Sequence, residues 1–146
     1  TSLHLPGGRI LLDRALVEDY EEPDVAAGYA LSEMALAQAS DPLADLLDSS
    51  GTWASFQLLT TGSLDGETLD RYAEKLLTAP RALPDDGRLV DTFRTAEVRS
   101  TPYAYARDVT GETVLALIEG DPMAGGNPRP LLSDADWIRL QAICGG

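Results

Sequence analysis

The chain has 146 residues, 44% of them hydrophobic and 24% charged, enough to bury one compact core in an ordinary globular composition. Its formal net charge is −13, with 24 Asp and Glu against 11 Lys and Arg; such a field repels nucleic acid, which needs clustered cations, and makes anionic membrane surfaces poor partners, whereas cationic peptides and divalent cations are tolerated. No apolar run approaches the roughly 20 residues of a transmembrane helix, and the single cysteine, Cys144, excludes an intramolecular disulfide.

The chain begins at Thr1 without a Met, so an upstream segment is expected to have been removed. His4, the only histidine, falls in what reads as a frayed N-terminal segment. Pro6-Gly7-Gly8 is a turn that opens a short strand from Gly8 to Asp13, and Arg14 to Tyr20 continues as a helix. Pro23 suits the first turn of a second helix, rich in Ala, Leu and Met and running to about Gln38. Asp41-Pro42 interrupts it and starts a short helix to Leu47, and Ser49-Ser50-Gly51 reads as a loop before a helical stretch from Thr52 to Leu59. From Asp65 to Leu77 the residues Leu69, Tyr72, Ala73, Leu76 and Leu77 repeat at helical spacing.

Pro80 to Gly87, with two prolines, two aspartates and a glycine, is the natural linker. Leu89 to Val98 is weakly helical, and Tyr103 to Arg107 reads as a strand with Tyr103 and Tyr105 on one face. Thr110-Gly111-Glu112 caps a helix through Ile118, ended by Gly120-Asp121-Pro122; Ala124 to Pro130 is a loop. Ser133 caps a last helix, with Asp134 and Asp136 at its positive end, Trp137 and Leu140 turned to the core, and Gly145-Gly146 as its stop. Trp53 and Trp137 read as packing anchors, and Cys144 as a small apolar residue of the last turn. The expectation is a single domain over 1–146, with a core in 1–79, a linker at 80–88 and a C-terminal portion at 89–146. The fold class is α+β, mostly helical, with a small β-sheet packed on a pair of helices.

Most catalytic patterns are missing. A serine triad needs a histidine, and no G-x-S-x-G elbow is present; Lys75 does not sit in a P-loop; no CxxC, EF-hand or dinucleotide fingerprint occurs. The acidic pairs Glu21-Glu22 and Asp85-Asp86 read as solvated loop charges.

Pro6-Gly7-Gly8, Arg14-Ala15-Leu16-Val17, Glu21-Glu22-Pro23-Asp24 and Ala27-Gly28 succeed one another in an order that resembles the HExxH zinc metallopeptidases related to the CAAX prenyl protease. Counted without gaps, HExxH falls on Ser32-Glu33-Met34-Ala35-Leu36. The second zinc-site helix of that family resembles the segment from Gly66 to Ala73, with Asp70 at the Asp position and the third ligand, a Glu, at Gly66, one residue before Glu67. The matched stretches cover about half the chain. The resemblance implies a peptidase-like helix pair beside a small sheet whose edge takes an extended substrate, and it weakly implies a cell-envelope or periplasmic location.

Departures from the family's ligand set remove its chemistry. Two imidazoles at i and i+4 grip Zn²⁺ from one helix face, and the Glu between them takes a proton from the metal-bound water. This chain has one histidine, so the pair cannot form; Ser32, Leu36 and Gly66 stand at degenerate ligand positions. No metal and no cofactor is expected. Glu33 reads first as an exposed or salt-bridged helix residue, with the remnant of the catalytic machinery as the role the resemblance implies, and Asp70 finds local partners in Arg71 and the helix surface. A cleft lined by Arg9, Ile10, Leu11, Glu33, Glu67 and Asp70 would still suit a peptide or protein partner by β-addition. The alternatives are a metal-independent hydrolase using Glu33, or a structural domain of a larger protein; an exposed apolar face could also join two copies.

Overall fold

The computed structural model describes residues 2–40, 42–126 and 129–144. Thr1, Asp41, Asn127, Pro128, Gly145 and Gly146, and the side chains of Trp53 and Cys144, lie outside the described residues, and the expectations placed on them with them. Eight α-helices and one two-stranded antiparallel sheet are described, an α+β fold that is mostly helical. The chain forms two compact units, one of Thr1–Leu36 with Leu83–Gly146, the other of Ala37–Ala82. The C-terminal third therefore shares a unit with the first 36 residues, a different division from a cut at 80–88.

The first unit opens with a hairpin. Strands β1 (Ser2–Leu5) and β2 (Arg9–Leu12) pair with Leu5 opposite Arg9 and Ser2 opposite Leu12, so Pro6-Gly7-Gly8 is the whole connection. Gly7 and Gly8 take φ of 83° and 72°, left-handed values that a Cβ would strain. His4 is thus not frayed: it pairs with Ile10 inside a strand whose side chains alternate between two faces.

Helix α1 (Ala15–Glu18) leads to α2 (Pro23–Ala39), which carries Pro23 at its first position, where no intrahelical N–H is needed. Val25, Ala26, Gly28, Leu31, Ser32, Glu33 and Ala35 of α2 are buried around most of its circumference, the pattern of an interior helix. Its buried residues share apolar clusters with α5 (Asp86–Ala96), α6 (Thr101–Arg107), the 3-10 turn Glu112–Val114, α7 (Leu115–Glu119) and α8 (Asp134–Cys144). A Cβ on Gly28 would collide with the Cβ and ring of Tyr103, so only glycine lets α2 and α6 approach this closely. Leu31, Ala35, Leu89, Phe93, Tyr103, Val114 and Leu117 form the main core; each large side chain among them contributes about 1.5–3 kcal/mol on burial. Val17, Ala26 and Trp137 form a second cluster with Leu140 against it, and Gln141 Nε2–H donates to Val17 O at 2.9 Å, fastening α8 to α1. The last helix therefore covers the core as its sequence suggests, with Ser133 Oγ accepting from Asp136 N–H at 3.2 Å as its cap.

The segment Tyr103 to Arg107 is a helix and not a strand. Pro102 favours the first helical turn, and Asp121 accepts from both Thr101 N–H (3.0 Å) and Thr101 Oγ–H (2.5 Å) at its start. Burial raises the Asp121 carboxyl, but the hydrogen bonds from Thr101 and Met123 outweigh it and hold the group below its ordinary value. A strand would put Tyr103 and Tyr105 on one face; the helix buries Tyr103 to 1% exposure and leaves Tyr105 at 47%. Tyr103 meets Tyr29 edge to face, with centroids 5.0 Å apart.

In the second unit α3 (Pro42–Thr61) packs on α4 (Gly66–Thr78). The loop expected at Ser49-Ser50-Gly51 shrinks to one break, Gly51 at φ 81° and ψ 174°. Asp65 caps α4 by accepting from Thr68 N–H at 2.8 Å, which holds its carboxyl low. Asp85 likewise caps α5 through Arg88 N–H at 3.1 Å, so that helix starts at Asp86, inside the expected linker.

Candidate functional site

Glu33 is a buried carboxylate of α2 that the hairpin reaches. It is 7% exposed, and a carboxylate taken this far from water must be hydrogen-bonded. Ser2 Oγ–H donates to Glu33 Oε1 at 2.7 Å, and His4 Nδ1 shares a 2.8 Å bond with Oε2. Strand alternation makes this possible, because positions 2 and 4 of β1 project from one face. Directly opposed residues share a face, so Ile10 and Leu12 lie on that side of the hairpin, whereas Arg9 and Leu11 lie on the other with Leu3 and Leu5. Of the three β2 residues assigned to a cleft with Glu33, only Ile10 is on its face.

Ionised, Glu33 only accepts, which places the proton of a neutral His4 on Nδ1 and leaves Nε2 as the open nitrogen. The imidazole is 21% exposed, and Nε2 has no partner among the described residues. The chain of bonds runs Ser2–Glu33–His4, with the carboxylate in the middle. Nucleophilic triads need the imidazole in the middle, where it can take the hydroxyl proton; here Ser2 Oγ–H is spent on the carboxylate. What this arrangement does is anchor the hairpin to α2 through two bonds to one buried group.

The residues at the zinc-ligand positions do not fit a zinc ion. Ser32 is buried on α2, and Leu36, half-buried on the same helix, offers no side-chain donor. Gly66 has no side chain and stands with exposed Glu67 and Asp70 on α4, in the second unit. No group of three or more His, Cys, Asp or Glu side chains poised to hold a metal occurs among the described residues. Arg71 does not serve Asp70, as its neighbouring position suggests: its guanidinium donates to Glu67 O at 3.3 Å and to Thr68 Oγ1 at 3.3 Å.

Ser2 and His4 are the site residues that sequence reasoning missed. The signal was present in Ser2-Leu3-His4-Leu5, an alternating run directly before a P-G-G turn, which is half of a hairpin. The acidic turn also gains a role. Arg99 Nε–H donates to Asp24 Oδ1 at 2.9 Å and Nη2–H to Glu22 Oε2 at 2.7 Å, tying the start of α2 to the segment before α6. The bond to Asp24 raises the Arg99 pKa against the opposing effect of burial. No protein-family model, curated protein or solved structure matches this chain.

Proposed function

We propose that the chain is a non-catalytic, zinc-metallopeptidase-like domain that binds an extended peptide segment along β2. The observation that carries it is Glu33, whose two oxygens are both engaged by the hairpin's own Ser2 and His4. A general base must present an accessible lone pair to water or substrate; this carboxylate is 7% exposed and bonded on each oxygen by the hairpin, which suits a structural anchor. The Pro6-Gly7-Gly8 turn, the strand after it and the buried glutamate helix support the ancestry, and the single histidine supports the loss of chemistry. Support for peptide binding comes from β2: its residues are largely exposed, Leu11 to 52%, and no third strand pairs with the sheet among the described residues. An added strand would gain backbone hydrogen bonds along that edge and apolar contact with Leu11.

Amide spectra of the labelled chain, titrated with a panel of extended hydrophobic peptides, test this. Saturable shifts at Arg9 to Leu12 are expected, with none on adding Zn²⁺. Peptides that leave those amides unmoved would remove the binding half, and tight stoichiometric zinc the non-catalytic half.

One observation favours the metal-independent alternative: a histidine oriented by a buried carboxylate, with Nε2 open, is the arrangement of a general base. It requires a nucleophile or water at Nε2. Ester or peptide hydrolysis that falls in both His4→Gln and Glu33→Gln would establish that alternative, and hydrolysis equal to buffer in the unaltered chain would end it.

A further inference from the structure

A second site lies in the first unit and shares no residue with the hairpin. A cleft of about 620 Å³ opens between the start of α2 and α6, within the size range of small-ligand sites. Its walls are aromatic and aliphatic: Tyr20 and Val25 on one side, Tyr105 and the largely exposed Val109 on the other. Three charged residues also line it, Glu21, Glu22 and Arg107.

The pairing of these charges is uneven. Glu22 is held by Arg99 at 2.7 Å. Glu21 is exposed and has no ion-pair partner among the described residues. Arg107 rests over the Tyr103 ring, 5.6 Å from its centroid, has no carboxylate partner among the described residues, and keeps Nη1 buried without an acceptor. A partly buried guanidinium without a carboxylate partner is costly, and an anion in the cleft that Arg107 lines offsets its charge. Glu21 and Arg107 thus line one cleft with opposite charges and do not close on each other.

An apolar cleft with one open cation and one open anion is complementary to a ligand that carries both charges and an apolar body. We infer that this cleft binds a short zwitterionic peptide, its carboxylate on Arg107, its ammonium on Glu21 and an apolar side chain against Tyr20, Tyr105 and Val109. The cleft volume accommodates two or three residues. A dipeptide is too short to add a strand to β2, so this site stands or falls apart from the hairpin edge.

The test is calorimetry and amide spectra of the full chain with leucyl-phenylalanine, compared with its N-acetylated and C-amidated forms. Saturable binding is expected, with shifts confined to residues 20–25 and 102–109 and a still hairpin. Capping either terminus, or Glu21→Gln, should weaken binding about tenfold, as loss of one charge-assisted contact does. Arg107→Met keeps a side chain over Tyr103 and should weaken it at least as much; if that variant melts lower, the capped ligands on the unaltered chain still decide. Absence of saturation at millimolar dipeptide, equal affinity for the capped forms, or shifts at the hairpin alone would overturn the assignment.

Discussion

Glu33 and Asp70 are the carboxylates that the resemblance places one on each helix of a supposed site, and they end in opposite surroundings. Glu33 lies on a helix buried around most of its circumference, bonded on both oxygens by a hairpin 29 and 31 residues away in sequence. Asp70 lies exposed on α4, a helix of the second unit on which Thr68 is buried while Leu77 is 74% exposed. A carboxylate is the same chemical group in both places. Its cost and its use depend on what surrounds it: buried, it must recruit donors and so becomes part of the fold, and exposed, water satisfies it and its neighbours are free to do otherwise.

The comparison can be broken most forcefully at the core of the first unit. Phe93→Ala removes a fully buried ring beside Tyr103, and urea unfolding should show a loss of about 3–5 kcal/mol. A much smaller loss would mean that the unit lacks the packed interior that makes Glu33 costly. Next comes Glu33→Ala, expected to cost about 1–3 kcal/mol because Ser2 and His4 lose a buried acceptor. Protection of the β1–β2 amides from hydrogen exchange should drop with it; unchanged protection would show that the hairpin is held some other way.

Acid sharpens the contrast further. Hydrogen bonds from the Thr110 side chain first, and from Thr113, hold the Asp108 carboxyl low in the first unit, as the Thr68 N–H does for Asp65 in the second. A carboxyl depressed in the folded state contributes its full stability above the unfolded pKa, near about 3.9, and loses it as pH falls through the folded value. Stability should therefore fall on acidification below about pH 4. Asp108→Asn should flatten that limb as followed by amide exchange in the first unit, and Asp65→Asn as followed in the second. An unchanged limb in either variant would contradict the assignment. The smallest effects belong to α4 itself: Asp70→Ala and Leu77→Ala should each stay within about 0.5 kcal/mol by thermal unfolding. A cost at Asp70 equal to that at Glu33 would erase the distinction between the two.

Much of the helical framework is legible in the sequence because its signals are local. Pro23 at the first turn of α2, the helical spacing from Asp65 to Leu77, Ser133 as a cap, and Asp121-Pro122 after α7 act within a few residues of themselves. Tyr103 to Arg107 reads wrongly as a strand because Tyr-Ala-Tyr alternates like one; the helix is favoured by a cap that comes from Asp121, 20 residues on, and by a close approach that Gly28 alone permits. Both determinants are distant in sequence. His4 reads wrongly as frayed because the alternation of Ser2-Leu3-His4-Leu5 is too short to weigh alone, and it gains force only when the Pro6-Gly7-Gly8 turn is read as joining two strands rather than as starting one.

By itself the sequence determined that one zinc-binding motif cannot form and where most helices lie. One histidine cannot make an HExxH pair, a net charge of −13 does not attract nucleic acid, and periodicity and caps place most helices. The tertiary structure decided what surrounds the remaining polar groups. That Glu33 is bonded by Ser2 and His4, and that Arg107 lines a cleft without a carboxylate partner among the described residues, depends on which donors and acceptors packing brings within about 3 Å, and hydrogen bonds of that length join residues with no regular spacing in the chain.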